Sequence, residues 1–332
     1  MFGNTKYMPK PFISKNNPFS EPETHGEVFV YSYLTPRYWL TWLFLGLSLL
    51  FVYLPKYPRI MIGDLAGQIL YSIGSSKKSI VDINLKITFS ELNLKERDKL
   101  CRSFFRNLGH MYINLPLLWW KSDNELQKLI DKKGLDLIEK YLQKNQSIIL
   151  LAPHTLSLDF GGRALSRYDV LSMYKPFKNK LLNWFIGRSR SKRTDKSVIY
   201  PRNTTSSIKS IIRKMKKPSV FYLLADEDIS VEDSIFSDFF DTKKTALKSV
   251  SKISKITQSK VLPCVCTYDI KKHKYIFQVF PELENFPSHS IENDCSKLLT
   301  VLEKQIMIDL EQYMWTLRIY KNRPDGSDIY KI

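Results

Sequence analysis

The sequence predicts an α/β fold, a mostly parallel sheet flanked by helices, with an N-terminal membrane helix ahead of it. Three observations carry this. Beyond residue 147, short runs with strand character alternate with helical stretches, the pattern of parallel strands joined by crossover helices. From about 60 to 145 the apolar residues recur at helical spacing instead. Ahead of both lies an uncharged run, "YWLTWLFLGLSLLFVYLP" at 38–55, bounded by Arg37 and Lys56. With 332 residues, 43% of them hydrophobic and 13% aromatic, the chain can build a sizeable core, which excludes a disordered or collagen-like protein.

In chain order, residues 1–35 have Pro, Asn and Ser scattered without a clear period and read as a mobile N-terminal tail. Residues 36–57 make the membrane helix. Eighteen helical residues at about 1.5 Å each reach roughly 27 Å, near the ~30 Å hydrocarbon core of a bilayer. Tyr38, Trp39 and Trp42 at one end and Tyr53 at the other suit the aromatic belts of an interface. Eighteen is the lower edge for a span, so a buried or interfacial helix stays open beside it. Arg37 precedes the run while Lys56 and Arg59 follow it, which places the large C-terminal part on the cytoplasmic side.

Residues 58–332 form one large domain. Its clearest helix is "SELNLKERDKLCRSFFRNLGHMYINL" (90–115), where Ser90 or Asn93 serves as cap and Leu100, Phe104, Leu108 and Met111 recur at helical spacing. Strands are expected at 147–152, 169–174, 197–200, 219–225, 260–268 and 274–280. Helices are expected near 158–167, 179–190, 204–217, 243–257 and 291–313. The last two strands, joined by a short polar turn, read as an antiparallel pair added to the parallel sheet.

The formal charge of +18 directs attention to phosphates: nucleic acid, anionic lipid or a phosphorylated ligand. A compositional excess of Lys explains part of it but not the cluster "GRSRSKRTDK" (187–196), with Arg188, Arg190, Lys192, Arg193 and Lys196. Four scattered cysteines make no disulfide framework and no zinc knuckle, and no HExxH or Cys/His cluster suggests a metal.

In open α/β sheets, ligands bind at the carboxyl ends of the strands. Two polar groups fall there: His154 just past the run "SIILLA", and Asp226, Glu227 and Asp228 just past "SVFYLLA". Asp159 follows His154 by five positions, in the first turn of the next helix. A carboxylate bonded to one imidazole nitrogen fixes the tautomer and frees the other nitrogen to take a proton. No nucleophile and no GxSxG elbow accompany the pair, so the fitting chemistry is direct transfer, a substrate hydroxyl deprotonated by the base attacking an activated carbonyl. Taken alone the spacing also suits an aspartate favouring a helix N-terminus and an ordinary loop histidine.

The flanking blocks add a likeness. The chain resembles the H-x4-D/E membrane acyltransferases, glycerolipid-acyltransferase-like in fold, and within them the late acyltransferases of lipid A biosynthesis. The carrying segments are "PRYWLTWL" (36–43), "NLKITFSELNLKERDKL" (84–100), "SIILLAPH" (147–154), "YKPFKNKLLNWFIGRSRSK" (174–192) and "EQYMWTLRIYKNRPDG" (311–326). Ser90 stands where that family commonly has proline, Lys175 where it has arginine, and Ser230–Glu232 replace a Gly-Pro-Arg segment. The likeness implies transfer of an acyl chain, laurate by its overall lean, from acyl carrier protein to a hydroxyl of a Kdo-bearing, phosphorylated lipid A precursor at the bacterial inner membrane. It implies His154 as base and Asp159 as the group that orients it, with no cofactor and no metal. Arg163, Lys175, Arg188, Arg190, Asp226 and Asp228 are the residues expected to bind substrate, while Trp315, Arg318 and Arg323 are expected to serve packing and surface pairing. Two rival readings remain: an acyltransferase for another membrane lipid, and a non-catalytic basic protein anchored to the membrane. No recognisable nucleic-acid motif supports nucleic acid as a partner.

Overall fold

The computed structural model describes residues 29–191, 197–202 and 205–331. The chain enters through a short 3-10 turn (Tyr31–Leu34) and the helices α1 (Trp39–Tyr53), α2 (Lys56–Ile73), α3 (Ser75–Thr88), α4 (Leu94–Trp120) and α5 (Asp123–Lys128). Strand β1 (Ile130–Lys133) and α6 (Leu135–Leu142) follow. Then comes the expected alternation: β2 (Ile148–Ala152), α7 (Leu158–Ala164), β3 (Val170–Tyr174), α8 (Lys180–Ser191), β4 (Ser197–Pro201), α9 (Thr205–Lys214) and β5 (Val220–Leu224). The remainder is a hairpin, β6 (Ser234–Phe239) and β7 (Thr242–Leu247), then α10 (Lys248–Thr257), β8 (Lys260–Asp269), β9 (Lys274–Val279) and α11 (Ile291–Ile306).

Seven strands form the main sheet in the order β1-β9-β8-β2-β5-β3-β4, and β6-β7 stand apart as an antiparallel pair. The pairs β8-β2, β2-β5, β5-β3 and β3-β4 are parallel, while β8-β9 is antiparallel, as their sequences predict. All five residues of β2, "IILLA", are buried, the mark of a central strand covered on both faces. Its side chains divide between two cores, Ile149 and Leu151 in one and Ile148 and Leu150 in the other.

Two sequence expectations change, and one open choice is decided. Residues 243–257 are not one helix: Thr242–Leu247 pair with β6, and only Lys248–Thr257 are helical. Ser237 and Lys244, Asp238 and Lys243 are cross-strand partners, and pairing with β6 decides what a short Lys/Thr-rich run leaves ambiguous. The long helix caps at Asn93, which accepts from the N–H groups of Lys95 and Glu96, while Glu96 returns a bond to the Asn93 N–H. Such a capping box contributes about 1 kcal/mol.

The largest correction concerns the membrane helix. Helix α1 has 15 residues, about 22 Å at ~1.5 Å per residue, and no described helix is long and apolar enough to cross a membrane. Pro55 follows its end, and Arg59 is buried rather than a charge flanking a span. Arg59 Nη2 donates to the carbonyls of Phe51, Val52 and Leu54 at 2.9, 2.9 and 2.7 Å, closing the open C-terminal turn of α1.

One face of α1 (Leu45, Ser48, Val52) is buried, with Trp120 Nε1 donating to Ser48 Oγ at 2.9 Å. The opposite face leaves Leu40, Leu43, Phe44, Leu47 and Leu50 exposed. Helix α2 carries an apolar row of its own, Tyr57, Met61, Leu65, Ile69 and Ile73 at every fourth position, all exposed. On its other side α2 crosses α4 at glycines: a Cβ on Gly109 would lie 2.3 Å from the Gly63 carbonyl oxygen and the Gly67 nitrogen. Of the expected tail, residues 1–28 lie outside the described residues; Phe29 and Tyr33 stack edge-on with each other, and Phe29 packs on Trp184 at 4.9 Å between centroids.

Candidate functional site

The site is built by the sheet's register. Strands β2 and β5 are parallel neighbours with Ala152 opposite Leu224. Two residues further along each chain stand His154 and Asp226. His154 Nδ1 lies 2.5 Å from Asp226 Oδ1, and the His154 backbone N–H donates to Oδ2 at 2.8 Å. The aspartate is fully buried and the imidazole is 12% exposed. Burial opposes ionisation of Asp226, yet the neighbouring imidazole, the two hydrogen bonds and Lys244 together hold its carboxyl below the usual range. With Nδ1–H donated to that carboxylate, a neutral imidazole presents Nε2 as its acceptor. Glu227 Oε1 stands 3.7 Å from Nε2, and its other oxygen is ion-paired with Arg202.

Asp159 is elsewhere engaged. It lies in the first turn of α7, and its carboxylate receives Arg190 Nη2 of α8 at 2.7 and 2.9 Å. The carboxylate on His154 Nδ1 is therefore that of Asp226, not the one five positions along the chain. Arg163 is buried, donating to the Ser189 carbonyl and standing 3.9 Å from Asp123. It ties α7 to α8 and α5. Arg188 lies over the Trp184 ring at 5.6 Å. Of the cluster at 187–196, Lys192, Arg193 and Lys196 lie outside the described residues.

Asp228 is a brace. It accepts from Thr245 Oγ1 at 2.8 Å and from the Asn322 backbone N–H at 2.6 Å, with a further bond from the Asn322 side chain. It also lines, with Glu227, a cleft of about 320 Å³ whose cations are Lys175, Arg202, Arg318 and Lys321. Of these only Lys175 is among the binding residues expected from sequence. Arg202 and Lys321 carry no local pattern that would single them out, and Arg318 was expected to serve packing.

The C-terminal block holds the histidine loop. Leu156 N–H donates to the Gln312 carbonyl and Met314 N–H to the His154 carbonyl, both at 2.8 Å, and Thr155 bridges Tyr313. The Gln312 side-chain amide bonds both backbone groups of Tyr268 on β8 at 2.7 and 2.9 Å. Trp315 is fully buried, and Asn84 Nδ2 donates to the carbonyls of Trp315 and Leu317 at 2.7 Å each. Two segments far apart in sequence, 84–100 and 311–326, thus meet to fix one loop. Arg323 donates to the Lys243 carbonyl and Thr242 Oγ1, both at 3.1 Å, anchoring the hairpin.

The arrangement sets an imidazole bonded to a buried carboxylate next to Glu227, which lines a cleft rich in cations. The profile of the family described as bacterial lipid A biosynthesis acyltransferase matches residues 27–322. The lipid A biosynthesis palmitoleoyltransferase of Escherichia coli K12 is 29% identical over 306 residues, 91% of this chain and 98% of the relative. The lauroyltransferase of the same organism is 28% identical, covering 88% of this chain and 95% of its own length. Its myristoyltransferase is 26% identical, covering 94% and 95%.

Proposed function

Since the chain belongs to the bacterial lipid A biosynthesis acyltransferase family, an acyltransferase family, we propose that it is an O-acyltransferase in which His154 is the general base. The donor in this reading is an acyl carrier protein thioester, and the acceptor is a hydroxyl of a Kdo-bearing lipid A precursor. The expectation of laurate as donor chain gains no support from identity, since relatives named for palmitoleoyl, lauroyl and myristoyl transfer stand at 29%, 28% and 26%.

The observation that carries the reading is the His154–Asp226 pair at the edge of the cationic cleft. His154 Nε2 takes the proton of the acceptor hydroxyl as that oxygen attacks the thioester carbonyl carbon. The C–S bond then breaks, and the departing thiolate takes the proton back from the imidazolium. Asp226 holds the tautomer and stabilises the imidazolium while it exists. An ester replaces a thioester, no covalent enzyme intermediate forms, and neither cofactor nor metal is called for.

Lys175, Arg202, Arg318 and Lys321 are suited to phosphate or sugar-acid carboxylate on the acceptor. The exposed apolar faces of α1 and α2 support attachment to one leaflet, with helices lying in the interface rather than spanning. In this reading the enzyme works at the cytoplasmic face of the bacterial inner membrane.

The test is His154→Ala in the purified enzyme, assayed with acyl carrier protein thioester and a panel of acceptors. Acyl transfer to the lipid A precursor is expected from the parent enzyme and not from the variant. Undiminished transfer by the variant removes the mechanism, and transfer to another membrane lipid in preference removes the acceptor.

A further inference from the structure

His154 Nε2 is the atom that must meet the acceptor hydroxyl, and a second carboxylate faces it. Glu227 Oε1 stands 3.7 Å away, beyond the ~3.2 Å limit of an N–H···O hydrogen bond. Glu227 Oε2 is in contact with Arg202 Nη1. On the other side of the ring, Nδ1 lies 2.5 Å from Asp226. One imidazole thus has two carboxylates, one bonded to it and one stopped short of it. A carboxylate with no other partner closes on an imidazolium at this range, since a charge-assisted bond is strong. Such a bond on Nε2 would occupy the lone pair that takes the hydroxyl proton. The second partner of Glu227 stands against this. Arg202 is itself anchored: its backbone N–H donates to the Tyr174 carbonyl at 2.8 Å, joining the end of β4 to that of β3. Its planar fork of five N–H donors lets one edge hold Glu227 while the guanidinium still lines the cleft. All three side chains are largely shielded from water, so their charges are weakly screened.

We propose that Arg202 and Glu227 are a positioning pair for the base: Arg202 holds the Glu227 carboxylate outside hydrogen-bond reach of His154 Nε2, leaving that nitrogen open to the acceptor hydroxyl. The inference rests on the reading of His154 as base, and it gives one cleft cation a duty toward the base as well as toward the acceptor. The other charged and titratable groups here are engaged differently. Asp226 is on Nδ1, with Tyr313 buried beside it and Lys244 of β7 acting on it. Asp228 is held by Thr245 and Asn322, and Asp159 of α7 by Arg190. Lys175, Arg318 and Lys321 line the cleft. Among the described residues, Arg202 is the cation paired with Glu227. Without Arg202 the Glu227 carboxylate closes on Nε2. The imidazolium then has a carboxylate on each nitrogen, and the base is occupied at a pH where the parent's is free.

The experiment is the pH dependence of kcat/KM for the full-length enzyme, its Arg202→Met and Glu227→Gln variants, and the double variant. Arg202→Met is expected to move the acidic limb up by about one unit, on top of a pH-independent loss from its weaker hold on the acceptor. In the double variant no carboxylate is left to close on Nε2, so the limb is expected back at the position it has in Glu227→Gln alone. Loss of acceptor binding by itself moves no limb, and a purely structural effect of Arg202→Met would persist in the double variant. A limb that Arg202→Met leaves in place or moves down overturns the proposal, as does one that stays raised in the double variant. Should the variants not fold, nitrogen-15 NMR of the histidine-labelled parent decides. An Nε2 unprotonated at pH 7.5 supports the proposal, and an Nε2–H bonded to a carboxylate overturns it. His154→Ala, run alongside, separates the two ideas. If it keeps full activity the base assignment fails, and if it is inactive while Arg202→Met leaves the limb unmoved, only the role of the pair fails.

Discussion

His154 and Asp226 are 72 residues apart in the chain and 2.5 Å apart in space, because β2 and β5 lie side by side with Ala152 opposite Leu224. The contact is a property of strand register, and it puts the carboxylate that meets the imidazole just past the end of β5.

Asp226→Asn therefore should be severe. An asparagine keeps the shape but offers an amide that cannot stabilise the imidazolium and favours the wrong tautomer. A loss in kcat of about ten-thousandfold is expected, by analogy with the aspartate of a serine protease triad, with KM little changed. Steady-state kinetics check it, and a loss of less than about tenfold would mean that Asp226 does not orient the base.

Asp159 and Arg190 should behave as a unit. Their ion pair at 2.7 Å joins α7 to α8, with each side chain about a quarter exposed. A double-mutant cycle with Asp159→Asn and Arg190→Gln is expected to show a coupling of about 1 kcal/mol in activity or stability. Additive effects would place the two residues in separate roles.

Attachment to a leaflet through α1 and α2 predicts sensitivity to polarity on the exposed face. Leu47 and Leu50 are 52% and 64% exposed, so replacing both with glutamine should leave the fold intact. Each leucine buried in lipid contributes about 2 kcal/mol. Co-sedimentation with anionic phospholipid vesicles should weaken on the order of a thousandfold. Unchanged sedimentation would exclude this face as the attachment surface.

His273 gives a pH dependence of stability. Its Nε2 is 3.2 Å from Arg59 Nη1, and Tyr268 bonds Nδ1. Burial, with Arg59 and Lys56 nearby, pushes its pKa down to about 4. The unfolded chain, with a histidine pKa of about 6.5, binds more protons between those values. Stability conferred by the neutral ring is thus fully present above about pH 6.5 and is lost as pH falls toward 4. The parent should lose about 1 kcal/mol more than His273→Gln over that window, a figure reduced for the ring's partial exposure. Urea unfolding at pH 7.5 and pH 4.5 measures it, and parallel losses would remove His273 as the cause.

Much of the fold is legible along the chain. The six strands expected from sequence are those of the central and outer sheet, because buried parallel strands read as continuous apolar runs. The hairpin β6-β7 and the short β1 escaped, since "TKKTAL" and "IDKK" have too few apolar residues to mark a face and are strands only through their partners. The stretch at 38–55 was apolar enough to suggest a span, but hydropathy does not see that Pro55 and Arg59 close α1 after 15 residues.

The sequence by itself determined the alternating α/β architecture, the placement of His154 and the Asp226–Asp228 run at strand ends, and the likeness carried by "EQYMWTLRIYKNRPDG". These follow from local periodicity and from residues adjacent in the chain. Only the tertiary structure decided which carboxylate meets the imidazole, that Arg163 and Asp228 serve as braces, and that Arg202, Arg318 and Lys321 join Lys175 in one cleft. The physical reason is that a hydrogen bond or an ion pair forms between neighbours in space. The neighbours of His154 are set by the register of β2 against β5, which no spacing along the chain encodes.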